Sequence, residues 1–154
     1  MNLKENKILD KAYVIAKTVM SQQDFYLSED CNANHKQLLE TMIGAAIWYL
    51  PQVKELWTGD ISIGALKKLF ESDNPKEIKL TKDHHYPRKV SAAELFKVNW
   101  STFSNPDEEV LHRYQNIYSR FNFVLPEENK SLVKYPKGHI FRSLEDSYRK
   151  AGIY

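Results

Sequence analysis

The residues best suited to chemistry lie in two short stretches of the chain, residues 79–89 and 120–130, which look like the two halves of one metal site. Their side chains carry carboxylate, imidazole or amide groups: Asp83, His84, His85, Asn122 and Asn129. Oxygen and imidazole groups are ligands for divalent cations, and a well-placed histidine can accept a proton from water. A functional site is therefore expected where folding brings the two stretches together.

Two strands and a helix must position these residues. Apolar and polar residues alternate in two places, as they do in half-buried strands: Ile78 and Leu80, then Phe121, Phe123 and Leu125. We expect residues 79–84 and 121–125 to pair as antiparallel strands. The sequence Pro-Glu-Glu that follows the second strand is typical of a helix start, and it places Asn129 near the first turn of a helix that packs on the strands.

The order Asp-His-x-x-Pro after a strand, followed by a second strand and a helix with an asparagine, resembles the HNH or ββα-metal finger nucleases. The resemblance implies that Asp83 and Asn129 are metal ligands and that His84, three residues before the proline, is the general base. Asn122 matches an asparagine that fixes the loop bearing the base in many members. His85 is the alternative base, because a shift of one residue in strand register would exchange the faces of the two histidines.

The activity implied by this resemblance is that of an endonuclease, which hydrolyses phosphodiester bonds in DNA with a metal ion; RNA is left open as the substrate. One carboxylate and one amide are hard ligands that suit Mg²⁺ or Mn²⁺. Basic side chains flank the site and are expected to contact nucleic acid: Lys82, Arg88, Lys89 and Lys130. His139, in a turn after Lys-Gly, is a further expected substrate contact. The chain departs from many HNH proteins because Cys31 is its only cysteine, which excludes a Cys-x-x-Cys clamp.

The charge distribution agrees weakly with a polyanionic substrate. Residues 1–75 carry 8 Lys+Arg and 10 Asp+Glu, a net charge of −2, whereas residues 76–154 carry 14 and 10, a net charge of +4. A positive field beside the motif would concentrate nucleic acid there. Ordinary solvated surface lysines explain an excess of this size equally well, so charge alone decides nothing.

The first half of the chain predicts helices and no chemistry. Residues 3–20 and 34–50 carry apolar residues at helical spacing, and a third helix is expected before residue 75. We therefore expect an α+β fold that is mostly helical, with a small two-stranded antiparallel ββα-metal finger. Residues 1–75 would form a helical N-terminal part, and residues 76–154 the finger region with a C-terminal helix, all within one compact domain.

A second function class fits the same residues. If the finger is degenerate, the chain would be a non-catalytic module that binds nucleic acid or protein. We expect a cytoplasmic protein with no membrane partner, because no signal peptide and no run of about 18 apolar residues is apparent. The oligomeric state is left open, with a homodimer as one alternative.

Overall fold

The computed structural model describes residues 3–51, 56–134 and 144–154. The fold is α+β and mostly helical, with one small sheet. The helices are α1 (Leu3–Leu27), α2 (Ala33–Ile47), α3 (Ile63–Glu71), α4 (Arg88–Leu95), α5 (Pro106–Arg113), α6 (Pro126–Lys134) and α7 (Leu144–Ala151). The strands are β1 (Trp57–Ile61), β2 (Thr81–His84) and β3 (Phe121–Val124). None of the helices in the described residues is long and apolar enough to cross a membrane.

The chain forms two compact units, each assembled from separate segments. The first unit comprises residues 1–53 and 86–119, and the second comprises residues 54–85 and 120–154. The chain passes from one unit to the other after residues 53, 85 and 119, and not at residue 75, where the sequence suggested a boundary. The physical reason is that β1, which precedes that position, takes its backbone hydrogen bonds from β3.

The first unit is a helical bundle of α1, α2, α4 and α5. Its core consists of apolar and aromatic side chains that are almost completely buried: Ile15, Val19, Ile47, Leu95, Phe96, Val110, Tyr114 and Tyr118. Helices α2 and α4 approach closely at Gly44 of α2, where a Cβ atom would lie 2.9 Å from the backbone oxygen of Arg88 in α4. Glycine is required there because any side chain would separate the two helices.

His35 has a structural role at the start of α2. The Asn32 side chain accepts hydrogen bonds from the backbone N–H groups of Asn34 and His35, and the His35 ring accepts one from the Asn32 N–H. These bonds satisfy N–H groups that a helix start otherwise leaves without partners. The cap therefore accounts for a histidine at this position.

The second unit contains a mixed three-stranded sheet in the order β1–β3–β2. The expected antiparallel pairing is confirmed: Thr81 pairs with Val124, Asp83 with Asn122 and His84 with Phe121. The expectation of a two-stranded finger is wrong, because β1 adds to the other edge of β3 in parallel orientation. Along the chain, α4 and α5 of the first unit lie between β2 and β3, and α6 follows β3 directly.

Strand β1 has little strand character in its sequence. Gly59, in its middle, adopts a φ of +95°, a conformation that favours glycine, and the pairing with β3 is irregular between Trp57 and Ile61. Because β1 is an edge strand with mostly exposed residues, it lacks the alternation of apolar side chains that identifies β3. Residues 57–61 form a strand because they pair with β3, and the local sequence does not predict that pairing.

Hydrogen bonds tie the starts of α3 and α6 together beside the sheet. Ser62, which is buried, caps α3 by accepting from the Ala65 N–H (3.1 Å), and its hydroxyl donates to Oε2 of Glu128 (2.5 Å). The same oxygen of Glu128 accepts from the Leu125 N–H at 2.8 Å. Glu128 thereby fixes the first turn of α6 at the end of β3.

Candidate functional site

Which of the predicted site residues lie close together depends on the face of the sheet to which each side chain of β2 and β3 points. Successive side chains of a strand point to opposite faces, and directly paired residues share a face. Asp83 is paired with Asn122, so their side chains lie on one face, whereas His84 is paired with Phe121 on the other. His85 follows the last residue of β2 and continues the ladder, since its N–H donates to the Arg120 oxygen at 2.8 Å.

Five polar side chains converge on the first of these faces. They come from β1, β2 and its end, β3 and α7, and we call them the Asp83–Asn122 cluster: Thr58, Asp83, His85, Asn122 and Tyr148. The Asn122 Oδ1 atom lies 2.9 Å from Nε2 of His85 and 2.5 Å from the Thr58 hydroxyl, which donates to it. The Tyr148 hydroxyl donates to Oδ2 of Asp83 at 2.7 Å. All five residues belong to the second unit.

Asn122 orients the His85 ring. Only 6% of Asn122 is exposed, and its amide oxygen has to find donors inside the protein. An amide oxygen accepts and never donates, so Nε2 of His85 carries a proton in this hydrogen bond. In the neutral ring the basic nitrogen is then Nδ1. This arrangement fixes both the tautomer and the direction of a histidine, as a general base requires.

Asp83 lies in surroundings that disfavour its charge. Burial raises the pKa of the Asp83 carboxyl, while the hydrogen bond from Tyr148 and the nearby His85 partly oppose the shift. Burial and the adjacent Asp83 raise the pKa of the Tyr148 hydroxyl, with a smaller contribution from Glu128. Tyr148 therefore remains a hydrogen-bond donor throughout the physiological pH range and holds one oxygen of the carboxyl.

The structure separates His84 from the other motif residues. Its ring packs against Phe121, with ring centroids 5.9 Å apart, on the face opposite Asp83. Lys82 lies on the same face as His84, and its Nζ atom is 4.7 Å from the centre of the Phe121 ring. The resemblance places His84 beside the metal ligand; the alternation of β2 instead brings His85 to the same face as Asp83.

The other predicted site residues do not belong to the cluster. Asn129 lies in α6, next to Glu128, and within the described residues its side chain makes no hydrogen bond to the cluster. Lys130 is exposed on the same helix. Arg88 and Lys89 begin α4 in the first unit, where the Arg88 guanidinium lies 5.1 Å from the centre of the Trp48 ring. His139 lies outside the described residues.

Two members of the cluster, Thr58 and Tyr148, were not singled out in the sequence. Thr58 lies in the weakly patterned strand β1, and its contribution depends on the parallel pairing of β1 with β3. Tyr148 lies 65 residues from Asp83 along the chain, on a short helix with an ordinary amphipathic pattern. A helix pattern shows that one face is buried but does not identify what it contacts.

The cluster offers a divalent metal ion one anionic ligand, the carboxylate of Asp83, so most of the ion's coordination positions would be filled by water or substrate. Among the described residues, no three His, Cys, Asp or Glu side chains are grouped closely enough to hold a metal ion. Magnesium sites, however, commonly use only one or two carboxylates and complete their coordination with water and substrate phosphate. Asp83 has one oxygen bonded to Tyr148, so Oδ1 is the atom that would serve as the anionic ligand.

The geometry of the Asp83–Asn122 cluster and the Asp-His-x-x-Pro motif are the two features of this chain that point to a function. No protein-family model, curated protein or solved structure matches this chain. Any assignment of activity has to be tested directly on the cluster residues.

Proposed function

We propose that this chain is a metal-dependent endonuclease that hydrolyses phosphodiester bonds in DNA. The observation that supports the proposal most is the meeting of Asp83, His85 and Asn122 on one face of an antiparallel strand pair. Strand β3 leads directly into α6, so the unit contains the two strands and the helix of the nucleases that the motif resembles, with α4 and α5 inserted between the strands along the chain. An acid that can hold a metal ion and an oriented imidazole that can act as base are groups that such a hydrolysis uses.

His85 is the general base of the proposed reaction. Its Nε2–H is held by Asn122, so Nδ1 is available to accept the proton of the attacking water. The Asp83 carboxyl lies close enough to His85 for the two side chains to interact electrostatically. His84 is less suited to this role because it lies on the opposite face from Asp83.

Asp83 and Asn129 are the residues that would hold Mg²⁺ or Mn²⁺. Such an ion, when bound, stabilises negative charge on the phosphate and on the leaving oxygen. Tyr148 keeps the Asp83 carboxyl in one orientation by bonding to Oδ2, and Asn122 keeps His85 in place on the same face. Lys130 is exposed in the same unit and can contact a flanking phosphate, whereas Lys82 lies on the face of the sheet opposite Asp83.

A cleavage assay tests the proposal. Purified protein is incubated with supercoiled plasmid, single-stranded DNA and RNA in the presence of Mg²⁺, Mn²⁺ or a chelator. We expect cleavage with either metal ion, no cleavage with chelator, and recovery when excess metal is restored. An Asp83→Asn variant is the control for contaminating nucleases, and it should be inactive under every condition. Equal cleavage by this variant and the wild type would contradict the proposal.

A non-catalytic binding module is the second candidate. The observation that favours it is the Tyr148–Asp83 hydrogen bond together with the raised pKa of the Asp83 carboxyl, since both are typical of a structural acid. Under this alternative the cluster stabilises the sheet, and the exposed basic residues bind nucleic acid without hydrolysing it. Nucleic-acid binding that is unchanged by chelator, with no cleavage of any substrate, would support this candidate over the nuclease.

A further inference from the structure

The face of the sheet opposite the Asp83–Asn122 cluster carries a continuous series of rings, which we call the aromatic row: Trp57, Phe123, Phe121 and His84. The row crosses all three strands, from β1 through β3 to β2. Neighbouring ring centroids are 5.5, 5.4 and 5.9 Å apart, and the rings are tilted or edge-on to one another. These separations are those of favourable aromatic pairs, so each ring holds the next in orientation.

The β1 end of the aromatic row is open to solvent. Trp57 is 42% exposed and Phe123 is partly exposed, whereas only 1% of Phe121 is exposed. Gly59, two residues along the same strand, is also open, because a Cβ atom there would meet nothing within 4 Å. An exposed tryptophan next to a partly exposed phenylalanine leaves apolar ring surface in contact with water, which a ligand with flat apolar faces would cover.

Trp57 is held in place before any ligand arrives. Its indole Nε1–H donates to the backbone oxygen of Asp60 at 2.9 Å, and its ring contacts Phe123. An exposed aromatic ring with a fixed orientation loses little conformational entropy when a planar group stacks on it. The ring is therefore better suited to binding than a freely rotating surface tryptophan would be.

A positive charge lies beside the aromatic row. The Lys82 ammonium is 4.7 Å from the centre of the Phe121 ring, and Lys82 is exposed on the same face of the sheet. The surface thus offers flat aromatic faces next to a cation. Single-stranded nucleic acid has the matching chemistry, with unstacked bases and a phosphate on every nucleotide, whereas a duplex keeps its base faces inside the stack.

We propose that the aromatic row and Lys82 form a binding surface for single-stranded nucleic acid, in which bases stack on Trp57 and Phe123 and a phosphate contacts Lys82. The choice of polymer rests on the proposed nuclease function, but the surface itself is separate from the cluster of His85, Asp83 and Asn122. It therefore predicts binding whether or not the cluster cleaves the bound strand. The inference goes beyond the proposed function by adding a second surface, on the opposite face of the sheet, that holds single strands.

The test is a binding titration of the full chain with fluorescein-labelled oligothymidylate, followed by fluorescence anisotropy in the presence of chelator. We expect wild-type protein to bind this single strand more tightly than a duplex of the same length. Trp57→Ala and Phe123→Ala should each raise Kd by about 5- to 100-fold, which is the usual cost of losing one base stack. Lys82→Ala should weaken binding and reduce the slope of log Kd against log salt by about 0.7.

Two variants separate stacking from damage to the fold. Trp57→Phe retains a ring at the open end and should restore most of the affinity that Trp57→Ala loses. Phe70→Ala removes an aromatic side chain that is 82% exposed on α3 in the same unit, and it should leave the Kd unchanged. Circular dichroism of every variant checks that the fold is retained.

The outcomes distinguish this inference from the proposed nuclease. Binding of the single strand without cleavage by any metal would contradict the nuclease and leave the aromatic row supported. Cleavage with metal, combined with an unchanged Kd in Trp57→Ala and Phe123→Ala, would overturn the aromatic row and leave the nuclease supported. Absence of binding to the oligothymidylate, or equal effects of Phe70→Ala and Trp57→Ala, would also overturn this inference.

Discussion

The two adjacent histidines differ in what they face, and the difference can be measured. His85→Ala should lower kcat/KM for cleavage by about 10²- to 10⁴-fold, because it removes the base whose tautomer Asn122 fixes. His84→Ala should have a much smaller effect on turnover, since that ring packs on Phe121. The measurement is steady-state cleavage of a labelled DNA. A large loss of kcat/KM in His84→Ala, with normal turnover in His85→Ala, would show that His84 is the general base, as the motif alone implies.

Asp83 should make the protein less stable at neutral pH than an uncharged residue would. The pKa of its carboxyl is raised in the folded state, so the folded protein binds the proton more tightly than the unfolded chain. Stability from this group is fully present below the unfolded pKa, near 3.8, and is lost as the pH rises through the folded value. Asp83→Asn removes the charge and keeps an oxygen that can accept from Tyr148.

Thermal unfolding of wild type and Asp83→Asn at several pH values checks this expectation. The Tm of the variant relative to wild type should increase as the pH rises from about 4 and become constant above the folded pKa of Asp83. Glu127→Gln is the matched control, because it alters an exposed acid in the same unit whose pKa is lowered by Lys68. A variant that is less stable than wild type at neutral pH would contradict a desolvated Asp83.

Helix α2 depends on the absence of a side chain at one position. Gly44→Ala would place a Cβ atom 2.9 Å from the Arg88 oxygen, so α2 and α4 must separate or shift. We expect the free energy of unfolding to fall by about 1–3 kcal/mol, as in other overpacked cores. Urea denaturation gives the value, and Thr41→Ala at an exposed position of the same helix should change it by less than about 0.5 kcal/mol. Equal stability of Gly44→Ala and wild type would show that the helices can separate without cost.

The buried cap of α3 should matter more than an exposed hydroxyl on α6. Ser62→Ala removes the acceptor for the Ala65 N–H and the donor to Glu128, and it should cost about 1–2 kcal/mol in the free energy of unfolding. Ser131→Ala is the control, because its hydroxyl donates only to a backbone oxygen on the exposed side of α6. Urea denaturation of both variants tests the comparison, and a larger loss in Ser131→Ala would contradict it.

The elements that could be predicted from sequence are those whose pattern is local. The strands containing Asp83 and Asn122 were predicted from the alternation of apolar residues, and their antiparallel pairing follows from that pattern. Strand β1 was missed because its pairing with β3 is a long-range interaction and Gly59 interrupts its pattern. Tyr148 could not be connected with Asp83 for the same reason: the contact joins two elements that are distant along the chain.

The sequence alone could not decide whether His84 or His85 shares a face of the sheet with Asp83. His84 and His85 are adjacent, so one residue of register decides which of them shares a face with Asp83. The pairing of Asp83 with Asn122 and of His84 with Phe121 gives that register. The roles of Asp83, Asn129 and the flanking lysines remain predictions that only measurements of activity and binding can test.

At the scale of the whole molecule, both units need residues from each half of the chain. Fragments 1–75 and 76–154 each lack a segment of both units, and fragment 76–154 loses β1 and α3. We expect each fragment alone to unfold without a cooperative transition, whereas the full chain unfolds cooperatively. Denaturant titration followed by circular dichroism tests this, with the full chain as control. A sharp transition in fragment 76–154 would show that β1 is dispensable.

The central position of β3 also determines when the sheet can form during synthesis. Strands β1 and β2 do not pair with each other, and both take their ladder hydrogen bonds from residues 121–124. A ribosome therefore completes β1 and β2 long before their common partner emerges, while α1 and α2 can already assemble. Until then, the edges of β1 and β2 carry unsatisfied N–H and C=O groups, and nascent chains are open to pairing with one another. A pause in translation before β3 has emerged from the ribosome should accordingly increase aggregation more than a pause after it has emerged.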